Sequence, residues 1–471
     1  MAPRRTAAGV AAGFVGAVLV SVASQALSYT AFGQTRADST FVIRTAGRAL
    51  GLVGLVGLLV GWRWVRELAH RHVWLVLGLW SLPLLFTAPV GSKDAYAYAE
   101  QGWLVGQGYD PYTTPMSSVG GPFAHLVDSY WQNTTTVYPP LALEAQRFVV
   151  WLTSADPYWS VVGMRLPALV GLALAGVFVP MLASQYGLDP KLAAWAVLLN
   201  PLSILHVVGG AHNDALAAGL GITAIWLAAR FRNWGWLVAC VVTGLAMAVK
   251  QPLGLVAVAS AALGLGLAGA MTLGRWLVLG LRATAGVVIT VATFAAVSLA
   301  SGLGFGWATS SGTPYAVGTI APLGLLAGAW RLTGGTMAGA LTVLSPIGMA
   351  VAAGLMAWWA KRWLPTEPVR WLAWSLLAFV VLAPALQTWY VLWGGLFLPA
   401  FWKPSDRGRR VVVAVLIFSL VALWALEWTK VLLPWGTLAA VAVAATAWLG
   451  RPWRLWGVGD AVPNQASADR R

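Results

Sequence analysis

The sequence predicts an all-α polytopic membrane protein, and three observations support this prediction. Of the 471 residues, 59% are hydrophobic and only 10% are charged, whereas typical soluble domains carry about 25% charged residues. Apolar runs of about 20 residues, long enough to cross a bilayer as a helix, recur along almost the whole chain. Basic residues collect in alternate connections between these runs. No soluble fold has enough interior to bury so much apolar surface.

The apolar runs predict about 13–14 transmembrane helices. Gly and Pro inside several runs are compatible with this prediction, because neighbouring helices can satisfy the backbone. The first run resembles a signal peptide, but it is longer than a typical signal sequence, so we predict a retained helix. The predicted helices begin near Ala8, Arg48, Val73, Trp159, Lys191, Asp214, Trp234, Pro252, Trp276, Thr336, Val369, Thr388, Arg410 and Val431.

The formal net charge of +15 reflects membrane topology. With Arg4 and Arg5 placed inside, counting helices puts most of the 30 basic residues on the inner side, as the positive-inside rule requires. Both termini are then cytoplasmic, and the protein is predicted to lie in the plasma membrane among membrane lipids. A nucleic-acid partner is not needed to explain the charge.

The same count divides the chain into six parts. One is a long hydrophilic loop on the outer side that holds six acids and two bases, a net charge of about −4 at neutral pH. Long loops above a helical bundle often carry function. The parts are transmembrane helices 1–88, the extracytoplasmic loop with surface helices 89–157, central helices 158–300, a second extracytoplasmic loop 301–335, C-terminal helices 336–450 and a cytoplasmic tail 451–471.

Several common motifs are absent or uninformative. The single cysteine, Cys240, excludes a disulfide framework. A G-x-G-x-x-G pattern at 264–269 lies inside an apolar run with no preceding strand, so it indicates helix packing. The sequence has no Walker A loop, no HExxH and no G-x-S-x-G. We predict no organic cofactor. No compact ligand cluster requires a metal, although Asp94 and Asp110 could share a divalent cation.

Five polar clusters remain, and the topology places all of them at the outer face. They occur where predicted helices end or begin, so they are expected to converge on one site. The clusters are Ser92–Asp94, Tyr109–Tyr112, the stretch NPLSILHVVGGAHNDA at 200–215, Lys250–Pro252 and the stretch APALQTWYVLW at 383–393.

Each cluster also has an ordinary structural explanation. Asp94 could stabilise the start of a loop helix, since helix N-termini favour acids, and Asp110 before Pro111 could form a turn. Asn213 or Asp214 could cap the next helix. A further three residues are typical of membrane interfaces, as a snorkelling cation or an aromatic belt: Lys250, Trp389 and Tyr390.

These stretches resemble a known family. SKDAYAYAEQGWLVGQGYDPY, VYPPLAL, LNPLSILHVVGGAHNDALAAGL, AVKQP and QTWYVLW are similar to the actinobacterial α-1,6-mannopyranosyltransferases of lipomannan and lipoarabinomannan biosynthesis. The resemblance covers roughly residues 89–393. It implies a GT-C-type glycosyltransferase fold, a polyprenyl-phosphate mannose donor and a mannan or phosphoinositol-mannoside-type glycolipid acceptor. It also implies an inverting transfer at the extracytoplasmic face, with Asp94 as the general base.

The remaining candidates have binding roles in this interpretation. Fixed positive charge or hydrogen-bond donors would stabilise the departing phosphate; the candidates are Lys250 first, then Arg165, His212 and Arg331. We expect His212 to act as a neutral imidazole, because the helix dipole disfavours its cation. Flat rings and polar groups would bind sugar or lipid: Tyr98, Asp110, Tyr112, Asn213, Asp214, Gln387, Trp389 and Tyr390.

Two other classes remain open. An arabinofuranosyltransferase or a protein O-mannosyltransferase could use the same scaffold. A flippase or transporter for lipid-linked sugars is the non-enzymatic alternative. Transporters usually carry inverted repeats and ionisable residues at the bilayer midplane. This sequence shows no internal repeat, and its acids cluster at one face, which favours an enzyme.

Overall fold

The structure, a computed structural model, describes most of the chain. The described residues are 2–27, 30–31, 34–35, 41–231, 233–265, 271–310, 320–403, 405–428 and 441–445. The predicted cytoplasmic tail 451–471, most of the last predicted helix and part of the second loop lie outside these residues.

The long helices confirm an all-α polytopic membrane protein. By length and composition, six described helices can cross a membrane, and a seventh if α8 and the π-helix after it form one span bent by 56°. The six are α1 Ala2–Leu27, α2 Phe41–Trp64, α6 Pro157–Gly163 continuing into α7 Arg165–Gln185, α12 Leu273–Ala300, α14 Met337–Trp363 and α18 Asp406–Ala422.

The other helices are shorter. Among them are α3 His70–Leu85, α4 Asp94–Gly106, α5 Pro140–Leu152, α8 Pro190–Leu198, α9 Asp214–Arg230, α10 Gly235–Met247, α11 Val256–Ala262, α13 Pro322–Arg331, α15 Pro368–Leu382, α16 Leu392–Gly395 and α17 Leu398–Phe401. Short 3₁₀ turns cover Ala124–Leu126, Gln251–Leu255, Gly306–Ala308 and Thr388–Val391, and π-helices cover Ser203–Gly209 and Leu423–Trp428. Two strands of two residues each, β1 Thr30–Ala31 and β2 Gln34–Thr35, pair antiparallel.

The six or seven described helices that can cross a membrane by length and composition are fewer than the 13–14 predicted, because several apolar runs form shorter or interrupted helices. The run from Lys191 breaks after Leu198 and continues as a π-helix, and a 3₁₀ turn begins at Gln251 just after α10. Pro201 and Pro252 stand at these breaks, where proline removes a helix hydrogen bond. Both interruptions occur beside polar residues, so the helices break where the candidate site is.

Glycines allow the central helices to approach closely. A Cβ atom added to Gly171 in α7 would overlap the Ala215 carbonyl at the start of α9, and one added to Gly219 would overlap the Gly171 carbonyl. Small residues at helix crossings are typical of membrane bundles. The contact fixes the N-terminal end of α9, where Asp214 lies, against α7.

A buried arginine secures the end of the bundle beneath the candidate site. Arg165 is 1% exposed at the start of α7. Its Nη2 donates to the carbonyls of Thr87 (2.8 Å) and Gly209 (3.0 Å), and its Nε donates to that of Val208 (3.0 Å). Arg165 therefore joins the chain after α3 to the end of the π-helix.

Helices α4 and α5 form the predicted loop between α3 and α6. They pack closely at Gly102, where a Cβ atom would lie 2.6 Å from the Gln146 backbone. Helix α5 begins at Pro140, and Glu144 pairs with Arg147 at 2.6 Å one turn later. The Leu141 amide donates to the Ala248 carbonyl, which holds α5 against the end of α10.

Candidate active site

Asp94 lies in the first turn of α4, at the edge of a buried polar cluster. The N-cap position is occupied by Lys93, which makes no side-chain cap, and the Asp94 amide donates to the Ser92 hydroxyl at 3.1 Å. Its side chain is 22% exposed. Asp94 is thus placed to stabilise the helix dipole while one part of the carboxylate remains accessible.

His212 lies directly against this carboxylate. Its Nδ1 is 3.6 Å from Asp94 Oδ2, and its side chain is 1% exposed. Ala211 before it has a φ of +60°, a left-handed conformation that is uncommon for alanine. Burial lowers the pKa of His212 well below its usual value, and the positive charge of Lys250 lowers it further. Both effects favour the neutral imidazole.

A buried ion pair forms the second half of the cluster. Lys250 Nζ lies 3.1 Å from Asp214 Oδ1, and Asp214 is 1% exposed. The same oxygen accepts a 2.7 Å hydrogen bond from the Trp393 indole nitrogen. Lys250 comes from the break between α10 and the following turn, and Asp214 begins α9. Asp214 Oδ2 has no hydrogen-bond partner among the described residues.

Three aromatic rings enclose the Lys250 ammonium group. Its Nζ lies 4.9 Å from the ring centre of Tyr138, 5.1 Å from that of Tyr390 and 5.4 Å from that of Trp393. All three are within the range of a cation–π interaction. Tyr138 also contacts Tyr98 through their hydroxyl oxygens at 3.2 Å. Tyr98 and Tyr390 thus belong to the walls around the Asp214–Lys250 pair.

Trp389 covers one face of His212. The two rings are stacked, with centres 3.8 Å apart and planes 17° apart, and Trp389 is 7% exposed. A sugar therefore cannot use that face of Trp389 while the stack is intact. Gln387, two residues earlier, is half-buried at the start of the same 3₁₀ turn.

Asn213 offers unused hydrogen-bonding capacity beside His212 and Asp214. It occupies the N-cap position of α9 but makes no side-chain cap. The residue is 6% exposed, and neither its Nδ2 nor its Oδ1 has a partner in the described part of the chain. Buried amides are normally paired, so this one is available to a ligand.

Four other predicted site residues lie outside this cluster or serve the scaffold. Asp110 accepts from the Tyr112 amide (2.9 Å) and the Thr113 hydroxyl (3.1 Å), so it shapes a turn. The Tyr112 hydroxyl donates to the Tyr138 carbonyl at 3.0 Å. Arg165 binds backbone carbonyls, as described above. Arg331 is exposed at the end of α13, and its described contacts include none of the cluster residues.

A metal site is not evident in the described ranges. No three or more His, Cys, Asp and Glu side chains there stand close enough together to hold a metal ion. Both carboxylate oxygens of Asp110 accept hydrogen bonds within its own turn, and a cation shared by Asp94 and Asp110 stays a prediction.

Glu100 is a buried carboxyl that supports the loop behind Asp94. It lies on α4 with no exposed surface, and its Oε2 accepts from the Phe123 amide at 3.0 Å. Its Oε1 has no partner among the residues described. Burial raises the pKa of Glu100 to about 7, while the hydrogen bond from Phe123 lowers it in part. The folded protein therefore holds this proton more tightly than the unfolded chain does.

We expect the stability of the protein to fall as pH rises from about 4.5 to about 7 because of Glu100. In that interval the unfolded chain has released the proton and the folded state still holds it, so rising pH favours unfolding. The full effect is roughly 3 kcal/mol. Glu100→Gln should flatten this dependence, measured as the apparent Tm in nanodiscs against pH. Exposed Glu67→Gln is the matched control, and an unchanged slope in Glu100→Gln would contradict the prediction.

The fold and the cluster define a class of protein. A polytopic helical bundle carries, where several helices begin or break, an accessible carboxylate against a buried neutral imidazole, with a buried cation and an unpaired amide beside them. Comparisons with known proteins give the family. The chain matches the model described as "Alpha-(1->6)-mannopyranosyltransferase, N-terminal domain" over residues 10–268 and that described as "MptB C-terminal domain" over residues 318–452. It belongs to this alpha-(1->6)-mannopyranosyltransferase family.

Curated relatives match over shorter stretches. Alpha-(1->6)-mannopyranosyltransferase A of Corynebacterium glutamicum is 35% identical over 151 residues, covering 32% of this chain and 31% of that protein. Its namesake from Mycobacterium tuberculosis is 37% identical over 179 residues, covering 38% and 34%. The matched regions thus span about a third of the length of these relatives. No solved structure matches the chain.

The cluster is built from both matched regions. Asp94, His212, Asp214 and Lys250 lie within residues 10–268, and the aromatic segment 388–393 lies within residues 318–452. Sequence reasoning did not single out His206 and Thr388, whose imidazole Nε2 and hydroxyl oxygen lie 3.0 Å apart, with the His206 ring centre 5.8 Å from that of His212. A histidine inside an apolar run is itself a signal of function in membrane proteins, and that signal could have identified His206.

Proposed function

We propose that the protein transfers mannose from polyprenyl-phosphate mannose to a growing α-1,6-mannan of the lipomannan type. One observation carries the proposal: in a chain of this family, an accessible carboxylate, Asp94, stands against a buried neutral histidine at the open edge of a polar cluster. The names of the relatives support the sugar and the linkage.

The reaction would be a single inverting displacement. Asp94 takes the proton of an acceptor hydroxyl as general base. The acceptor oxygen forms a bond to the anomeric carbon as the bond from that carbon to the phosphate oxygen breaks, and polyprenyl phosphate departs. The transition state resembles that of glycoside hydrolysis, with positive charge on the sugar ring. A β-linked donor gives an α-linked product.

Lys250 would stabilise the departing phosphate. Its ammonium group is held by Asp214 and three aromatic rings. Its positive charge also lowers the pKa of His212. A cation held in place before reaction stabilises developing negative charge without reorganisation. Asn213 would bind sugar hydroxyls through its unpaired amide, and Tyr98, Tyr390 and Gln387 would line the sugar or lipid path. The acceptor would be a mannan or phosphoinositol-mannoside-type glycolipid.

The outer face of the plasma membrane is the proposed location. The cluster lies at the start of α7, and Tyr186 follows its end, about 30 Å away along the helix. At that far end a cavity of about 410 Å³ is lined by Tyr186 together with Arg370 and Lys403. The basic residues there support a cytoplasmic assignment for that side, and this in turn supports an extracytoplasmic location for the cluster. The division of the chain at 88, 157, 300, 335 and 450 remains a prediction.

The test uses purified protein in nanodiscs with polyprenyl-phosphate mannose and a short α-1,6-mannoside. We expect the acceptor to gain mannose through a new α-1,6 bond, established by mass and linkage analysis, and no product from a nucleotide-linked mannose. Transfer of arabinose from a polyprenyl-phosphate arabinose donor, with no transfer of mannose, would overturn the sugar assignment. The absence of transfer, with lipid-linked sugar crossing the bilayer, would support the transporter alternative.

A further inference from the structure

A buried contact between two distant parts of the chain lies beside His212 and Trp389, since the His206 ring centre is 5.8 Å from that of His212 and 5.6 Å from that of Trp389. His206, in the π-helix, has no exposed surface, and its Nε2 is 3.0 Å from the Thr388 hydroxyl. Thr388 is 7% exposed and comes from the segment after α15. The proposed reaction gives neither residue a role. Polar groups in such surroundings are costly unless they are paired, so the contact calls for a reason.

His206 and Thr388 are each linked to His212, one by a backbone hydrogen bond and the other through the neighbouring Trp389. The His212 amide donates to the His206 carbonyl at 3.2 Å, which closes the turn that contains Ala211 in its left-handed conformation. Thr388 directly precedes Trp389, whose ring is stacked on His212. The imidazole of His212 is therefore held through its own backbone on one side and through a stacked indole on the other.

The side-chain nitrogens of His212 do not hold the ring in place themselves. Neither has a hydrogen-bond partner among the described residues, and Nδ1 only approaches Asp94 at 3.6 Å. A ring without side-chain hydrogen bonds takes its orientation from the surfaces packed against it. For His212 the stacked surface is Trp389, so the position of the segment that begins at Thr388 determines the geometry at Asp94.

We propose that His206 and Thr388 form a clamp that positions His212 against Asp94. Segment 388–390 lies in the C-terminal matched region, whereas Asp94 lies in the N-terminal matched region. Through the clamp, this segment positions the surroundings of Asp94. Thr388 and His206 touch no substrate in this proposal; they act through Trp389 and His212. The expected effect of the clamp on kcat rests on the proposed function, whereas its expected effect on the orientation of His212 does not.

The hydroxyl of Thr388 can be removed with little change of shape. Thr388→Val deletes the partner of His206, and Thr388→Ser keeps it. In the mannose-transfer assay we expect Thr388→Val to lower kcat roughly 10- to 100-fold, since small misplacements at a reacting centre have effects of that size. The KM should change little, because the interaction lost acts in the transition state. Thr388→Ser should restore most of the rate.

Thr290→Val is the matched control. Thr290 is also buried, and its hydroxyl donates to the Cys240 carbonyl of a neighbouring helix at 2.9 Å, away from the cluster. It should leave kcat near the wild-type value. If Thr388→Val leaves kcat unchanged, or if Thr388→Ser is as slow as Thr388→Val, the clamp is overturned.

A second measurement needs no activity. Diethyl pyrocarbonate modifies accessible histidines, and the rate at His212 can be followed by peptide mass spectrometry with exposed His70 and His125 as internal references. Thr388→Val should raise the modification rate at His212 several-fold relative to the wild-type and Thr388→Ser proteins. A raised rate in a protein that transfers no mannose would retain the clamp and overturn the proposed function. An unchanged rate in an active protein would overturn the clamp alone.

Discussion

Asp94→Asn is expected to lower mannose transfer by about a thousandfold or more, with little change in stability. General-base catalysis contributes about 10²–10⁴-fold, and the amide of asparagine cannot accept the proton of the acceptor hydroxyl. The substitution keeps the size of the side chain, and the Ser92 hydroxyl can still accept from the backbone amide at this position. The initial rate in nanodiscs with saturating donor and acceptor is the quantity to measure.

Asp156→Asn is the matched control for this variant. Asp156 lies just before α6 and caps that helix by accepting from the Tyr158 and Trp159 amides at 3.0 and 2.8 Å. Asparagine caps helices about as well as aspartate, so both rate and stability should be retained. Near-normal transfer by folded Asp94→Asn would show that Asp94 only stabilises α4 and would move the search for the base to Asp214.

The second large effect is expected at Lys250. Lys250→Met removes the partner of a carboxylate that is 1% exposed, and leaving one member of a buried ion pair typically costs about 3–5 kcal/mol. The methionine fills similar space but cannot neutralise Asp214. We expect a clearly lower apparent Tm in nanodiscs and no measurable transfer.

A double variant separates the two roles of Lys250. Lys250→Met combined with Asp214→Asn removes both charges, and the asparagine carbonyl can still accept the hydrogen bond from Trp393. It should recover most of the lost Tm but not the transfer activity, since no cation then faces the departing phosphate. A double variant as unstable as Lys250→Met would contradict the ion-pair argument. A double variant that is stable and fully active would show that Lys250 does not stabilise the departing phosphate.

The class of the fold and the region of the candidate site could be predicted from the sequence because their signals are local. Composition and apolar run length identify membrane helices directly, and Tyr138-Pro139-Pro140 marks the start of α5. Asp94 stands out as an acid just after a long apolar run. The convergence of Asp94, His212 and Lys250 followed from counting helices, since residues at helix ends on one side of a membrane share a face.

Pairings between these residues could not be predicted in the same way. Asn213 and Asp214 look alike in the sequence, yet Asp214 is neutralised by Lys250 and only Asn213 has its whole side chain unpaired. Trp389 was predicted to bind sugar or lipid, and in the structure one face of its ring is stacked on His212. Such differences depend on side-chain packing between distant helices. The breaks in the helices could not be predicted either, because an interrupted apolar run has the same composition as a continuous one.

The contact between His206 and Thr388 also has a consequence in time. The two residues are 182 positions apart, and a ribosome that adds about 5–20 residues each second needs roughly 10–40 s to cover that distance. During this interval the histidine is already in the membrane-embedded part of the chain, and its partner does not yet exist. The early helices must therefore tolerate an unpaired polar group while synthesis continues. The neighbourhood of Asp94 reaches its final shape only after the later helices have been inserted.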